Sequence, residues 1–471
     1  GFSSTEFKGN YIGGQSTLDL TNSTFGQFSN NKIDVASSLL FTSCNNSFFV
    51  DNIFNTSQIT FTGSTITNIV ENNITTGVIS GVDCTINYFE LNVFVSDDIT
   101  ASITNLNVDG ATIVNFSGNV ITGNSSVDLS NAVSGQFLNN SFSVSSFNVS
   151  GGTASTVVNN VVAQNSSIDF QNSYITEFTG NVVLAYSTIS LNDAVGVVNL
   201  FAYNEFLSGS LLLDESSISS FVLNQVKAGS SIDRNGGNPA IGQMYYNQLS
   251  ENSVINLLDS NCSTISSNNL SSGSTMYLDY LVATSVIQNN LSSASYISAV
   301  GASVDILQAN RISSNGYLQL DGGSFLNVIS NEINSGSYIN IGGCYIDDVS
   351  FNSMLAASYI LMAECYLPSI QYNSMGAFSY IEMSGSTTGD ISYNSIYDST
   401  ITVDGTSYFD TLSFNSFNDG SSLDLAGADV RYYYYNSHSS SPVHLETSTF
   451  IGGVQYNKCE CASSIYFIDS S

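Results

Sequence analysis

Residues 350–396 read SFNSMLAASYILMAECYLPSIQYNSMGAFSYIEMSGSTTGDISYNSI, and they repeat themselves: FNSM, YNSM and YNSI recur, and SYI follows the first two at one distance. Steps of 21 residues taken outward from here meet Asn247, Asn268, Asn289, Asn310, Asn331, Asn352, Asn373, Asn394, Asn415, Asn436 and Asn457. Two places after nearly every one stands an apolar residue: Leu249, Leu270, Leu291, Ile312, Ile333, Met354, Met375, Ile396 and Phe417, with His438 and Cys459 closing the series. The earlier residues follow the rule less strictly, through Asn10, Asn31, Asn52, Asn72, Asn92, Asn119, Asn140, Asn160, Asn181, Asn204 and Asn224. Intervals there run from 20 to 23, with one of 27 between Asn92 and Asn119. A fixed period over the whole chain marks a repeat architecture.

Within one period, Asn331 to Phe351 reads NEINSGSYINIGGCYIDDVSF. Alternation shows in Tyr338–Ile341, at Tyr345-Ile346 and at Val349–Phe351, and Gly and Ser interrupt it at 335–337 and 342–343. Short period-two runs rich in Ile, Val, Tyr and Phe predict strands, and no segment sustains a helical period. Three strands in about 21 residues predict one coil of a parallel β-solenoid. The fold class expected is therefore all-β, a single-stack parallel β-helix of about 22 coils with an internal Asn ladder. One continuous solenoid is expected over 1–471. Residues 1–246 form less regular coils with insertions at 93–118 and 225–246, and residues 247–471 form strict 21-residue coils.

Coils in such a stack lie about 4.8 Å apart, so a residue that recurs once per coil forms a row along the axis. Asn at a turn can then pair its amide with those above and below. A second polar row is expected six positions on, at Ser253, Ser274, Ser295, Ser337, Ser358, Ser379, Thr400, Ser421 and Ser463, with Gly316 and Pro442 as exceptions. In coil length and Asn ladder the chain resembles the parallel β-helix class of pectate-lyase-like proteins, phage tailspikes and solenoid adhesins. That resemblance covers the whole chain and implies a fold, not an activity.

Composition narrows the function. The chain has 471 residues, 7 Lys+Arg against 38 Asp+Glu, a net charge of −31, 3 Pro and no Trp. Scattered cations in an acidic chain argue against nucleic acid, which needs clustered Lys and Arg. No run approaches the length needed to span a bilayer as a helix, so no membrane insertion is expected. Few sites for trypsin-like proteases suit an extracellular or cell-surface protein. Seven cysteines are too sparse for a disulfide scaffold and show no zinc spacing. Cys344 and Cys365 fall one coil apart, a spacing compatible with a disulfide, and Cys44 and Cys84 two coils apart, too far to pair directly; small apolar filling is the favoured reading of that column. Twelve candidate glycosylation sequons begin at Asn22, Asn45, Asn55, Asn73, Asn115, Asn124, Asn139, Asn148, Asn165, Asn261, Asn269 and Asn290.

Acid–base cleavage of a polysaccharide needs matched carboxyls. The acidic pairs are Asp97/Asp98 and Asp347/Asp348. Arg234, Arg311 and Arg431 lie in different coils, and His438 and His444 in one late coil. No hydrolase or metalloprotease motif appears. The expectation is no enzyme, no cofactor and no metal.

Aromatic rows are the stronger functional signal. Tyr296, Tyr317, Tyr338, Tyr359 and Tyr380 share one phase, and Phe351, Tyr372, Tyr393, Phe414, Tyr435 and Tyr456 share another, immediately before the ladder Asn. Stacked Tyr is a good strand former that stabilises a sheet face through ladder neighbours, and contiguous exposed aromatics also mark a docking face for protein or sugar; the two readings are compatible and both stay open here. The first residues, with Phe2 and Phe7, and the last, with Cys459, Cys461, Ile465 and Phe467, show no polar cap, so a head-to-tail joint between copies is expected. The function expected is an extracellular structural subunit that assembles with itself into a filament, sheath or appendage. A glycan-binding adhesin or tail-fibre-like rod is the alternative, with a surface glycan or a capping protein as partner. A polysaccharide lyase or hydrolase ranks third.

Overall fold

The computed structural model describes residues 2–34, 36–95, 105–192, 197–214, 216–234, 240–259, 261–376, 378–404, 407–446, 449–460 and 463–468. They form strands and turns only, with no helix among them. The chain divides into two compact units, Gly1–Ala240 and Ile241–Ser471. Each is a parallel β-solenoid: every third strand pairs in parallel with the one a coil further on, which builds three parallel sheets.

The coil that begins at Asn331 shows how the sequence makes the turn-strand pattern. Its strands are Glu332–Asn334, Tyr338–Gly342 and Tyr345–Ser350. Alternation sends Ile333, Ile339, Ile341, Ile346 and Val349 into the core. Register is kept from coil to coil, so Ile333 pairs with Met354 and Ile339 with Ile360. Burying each such side chain contributes roughly 1.5–3 kcal/mol. In the first unit the same positions carry Phe rows: Phe28 stacks on Phe49 at 4.8 Å, and Phe201 lies between Phe178 and Phe221 at 4.9 and 5.1 Å.

Both units carry the Asn ladder, from Asn10 to Asn224 and from Asn247 to Asn457. Asn352 is representative. Its Nδ2 donates to Asn373 Oδ1 at 3.0 Å and to the Val328 carbonyl at 3.0 Å, and its backbone N–H donates to the same Asn373 Oδ1 at 3.0 Å. An amide such as that of Asn352 thus donates twice and accepts twice in a buried row, which is why no smaller or apolar residue substitutes for it. The 27-residue step leaves the ladder intact, with Asn92 Nδ2 donating to Asn119 Oδ1 at 3.1 Å. Asp97 and Asp98, in that step, lie outside the described residues.

The serine row departs from the 21-residue count. Counting puts Thr400 and Pro442 in the row. The register instead pairs Tyr380 with Thr400 and Thr400 with Ser422, so Ser399 and later Ser441 hold the buried positions. Backbone N–H groups confirm the register: Ser379 donates to Ser399 Oγ and Ser441 to Ser463 Oγ, each at 3.2 Å. The turn after Asn394 is one residue shorter than its neighbours, and the residue is recovered between Val403 and Tyr408, so the Asn ladder never registers the slip. Gly316 is a true exception, a glycine between Ser295 and Ser337.

Cys344 and Cys365 are free, buried and one coil apart; Cys44 and Cys84 are also free and buried, with Ser64 between them. All fill a column of small residues at the turn before the long strand.

An aromatic surface as the candidate functional site

The residue before each ladder Asn turns the chain with a left-handed backbone. In the second unit this position is filled by Phe351, Tyr372, Tyr393, Phe414, Tyr435 and Tyr456, at φ of 55°, 57°, 57°, 55°, 57° and 55°. Gly or Asn meets that conformation with least strain, and an ordinary L-residue there costs roughly 1–2 kcal/mol. Six aromatic residues in succession at such a turn therefore run against local backbone preference. All six are exposed, from 42% to 72%. Their rings stack in order at 5.1, 5.1, 5.0, 5.0 and 4.9 Å, within 8° of parallel. The result is a continuous aromatic ladder on the surface, with phenol hydroxyls on four of its rungs.

The other expected row is less open. Tyr296, Tyr317, Tyr338 and Tyr380 are half-buried and only Tyr359 is exposed. Tyr296 stacks on Tyr317 at 4.9 Å and Tyr317 on Tyr338 at 3.9 Å, but Tyr359 meets Tyr380 edge-on at 6.1 Å. Tyr296 donates its hydroxyl to Gln319 Oε1 at 2.5 Å, and burial raises its pKa and that of Tyr317. These rings brace the sheet face through cross-strand neighbours.

At one end the exposed ladder borders a cavity that sequence spacing did not single out. Tyr432, Tyr434, Tyr435, Gly453, Gln455 and Tyr456 line a half-open hollow of about 310 Å³. Tyr432 stands at 74° to Tyr434, and Tyr434 at 81° to Tyr435. A β-bulge makes the space: strand Thr449–Gln455 has seven residues against the six of Asp429–Tyr434, and the register shifts between Val430 and Tyr432. Gly452 and Gly453 sit in the bulge. A Cβ on Gly452 would collide with the Tyr432 ring, and Gly453 has φ 122°. Arg431 bonds Asp410 at 3.0 Å and lies 5.2 Å from the Tyr432 ring centre. The visible signals were the run Arg431-Tyr432-Tyr433-Tyr434-Tyr435 and the glycine pair in the following coil.

The remaining candidates are dispersed. Arg311 pairs with Glu332 at 3.6 Å across neighbouring coils, and Asp348 accepts from Ser350 at 2.7 Å. His438 is buried on Phe417 and shares a 2.6 Å hydrogen bond with the buried Tyr433, whereas His444 stacks on Tyr466 in another sheet. Burial raises the Tyr433 phenol pKa and holds that of His438 down near 4. Among the described residues no group of three or more His, Cys, Asp or Glu could hold a metal ion. None of the twelve sequon asparagines is buried. Phe2 packs on Phe25 at 5.6 Å, Phe7 stacks on Phe28 at 5.0 Å, Cys459 is exposed and Ile465 half-buried. Cys461 and the Phe467 side chain lie outside the described residues.

No family model matches this chain, and no curated protein does. Among solved structures it is similar to a mutant of AlyGC, an alginate lyase of the PL6 family, at 8% identity and a TM-score of 0.25, over 100% of this chain and 96% of that one.

Proposed function

We propose that this chain is a structural, non-catalytic β-solenoid that works outside the cell, and that its aromatic ladder is the face through which it meets another copy of itself in a filament, sheath or appendage. One observation carries the reading: six stacked, exposed rings occupy turn positions that backbone energetics would assign to Gly or Asn. Such a row adds nothing to the core, and a second apolar surface laid on it would remove its edges from water. The net charge of −31 opposes assembly at low salt and relaxes as salt screens it. Sedimentation and negative-stain microscopy of the wild type and of a Tyr372→Ser/Tyr393→Ser/Phe414→Ser variant test the proposal. Large assemblies that form with added salt and are lost in the folded variant support it; a wild type that stays monomeric at all salt and protein concentrations overturns it.

The phenol hydroxyls of Tyr372, Tyr393, Tyr435 and Tyr456 favour a second reading, a rod that binds a surface glycan. In that case the monomer binds oligosaccharides and the same triple variant does not.

A further inference from the structure

Tyr435 and Tyr456 do more than extend the ladder, because they share a hollow with Tyr432 and Tyr434. Tyr432, Tyr434 and Tyr435 border one cavity of about 310 Å³, with Tyr434 at 74° to Tyr432 and at 81° to Tyr435. Tyr435 continues into Tyr456, stacked at 4.9 Å, so one wall is two rings tall. The cavity is lined by rings, glycine backbone and the Gln455 amide, with no charged side chain among them. Aromatic faces carry the negative end of the ring quadrupole, and a cation held against several of them is bound without any carboxylate. The geometry points to a cage for a quaternary ammonium group, of the trimethylammonium kind found in choline.

Three further observations favour that ligand class. First, the ring system already holds a cation: the Arg431 guanidinium lies 5.2 Å from the Tyr432 centroid, with its charge balanced by Asp410 at 3.0 Å. Second, the space is built by an irregularity. The extra residue of strand Thr449–Gln455 and the glycine pair Gly452-Gly453 leave the Tyr432 ring free of a neighbouring Cβ. β-Bulges recur next to functional sites for this reason. Third, the chain carries a charge of −31, which concentrates cations at its surface and repels anionic ligands. Among organic cations a compact primary ammonium is strongly hydrated and loses much on entering an aromatic hollow. A quaternary ammonium has no N–H to desolvate, and its methyl groups bury apolar surface against the rings.

Choline chloride titrated by calorimetry into the full chain tests the site, with 3,3-dimethyl-1-butanol as the uncharged isostere. Saturable binding at one site per chain is expected, with the isostere roughly tenfold weaker. Tyr434→Leu and Tyr432→Leu should each weaken choline by roughly tenfold or more, while Tyr432→Phe, which keeps the ring, stays within about threefold. Vesicles of phosphatidylcholine distinguish a lipid headgroup from a free or polymer-borne choline, because only the first gives co-sedimentation. Equal binding of the uncharged isostere by the wild type overturns the proposal without reliance on any variant. So does the absence of saturable choline binding, or binding of a neutral oligosaccharide in its place. The proposal stands apart from self-assembly: Tyr434→Leu should leave assembly unchanged, and Tyr372→Ser should leave choline affinity unchanged, so the two failures are read separately.

Discussion

Asn394 Oδ1 accepts two hydrogen bonds from Asn373, one from its Nδ2 at 3.0 Å and one from its backbone N–H at 2.9 Å. One side-chain oxygen therefore satisfies both the turn backbone and the amide of the coil before it. Within each unit the row is a continuous chain of buried donors and acceptors, and its value lies in leaving nothing unpaired.

Replacing Asn373 by Leu removes the acceptor for the Asn352 N–H and Nδ2, both 3.0 Å away, and the donor to Asn394. The loss expected is about 1–3 kcal/mol for the buried groups left unpaired. Denaturant melts of the variant check it; an unchanged midpoint would mean the row carries no stability.

Tyr393 makes the opposite case. Its φ of 57° suits Asn or Gly, while its ring stacks between Tyr372 and Phe414 at 5.1 and 5.0 Å. Relief of backbone strain and loss of stacking act against each other, so Tyr393→Asn should change stability by less than about 1 kcal/mol. A thermal melt measures this, and a loss of several degrees would show that the ladder holds the fold together.

The thiols divide by burial. Cys44, Cys84, Cys262, Cys344 and Cys365 are buried, and burial lifts Cys84 to about 11 and Cys262 to about 12. Burial also keeps reagent from all five, Cys365 included although its hydrogen bond with Cys344 lowers its pKa, so these sites should resist alkylation in the native protein near pH 8, while the exposed Cys459 is modified. Peptide mapping without reductant should recover Cys344 and Cys365 as free thiols; a cross-linked pair would overturn the reading of that column as small apolar filling.

His438 links stability to pH. Its pKa falls from 6.5 to about 4, the shift being due to burial, so the unfolded chain takes up a proton that the fold refuses. The contribution is fully present above pH 6.5 and is lost as pH falls through 6.5 toward 4, by on the order of 2 kcal/mol. His438→Leu should flatten that part of the stability profile relative to wild type. Identical profiles for the two proteins would show that the imidazole titrates as freely in the fold as outside it.

The recurrence of Asn and of an apolar residue two places later was legible because stacking maps sequence distance directly onto space. A residue that returns every 21 positions must face its own copy, and an amide that faces its own copy must pair. The three-strand coil and the two aromatic rows followed from that period and from strand alternation. The position of Thr400 did not. Segments of unequal length offset one another within a single coil, and only strand pairing reveals that Ser399 holds the buried place. Nor could spacing show that Phe351 and its successors stand at left-handed backbone, since nothing in an aromatic side chain announces a positive φ. The hollow beside Tyr434 was least visible of all. It exists because one extra residue shifts the register opposite Val430 and Tyr432, and because two glycines leave the Tyr432 ring unobstructed. Period and composition are sums along the chain, whereas a bulge and the angle between two rings are settled only when neighbouring coils compete for the same space.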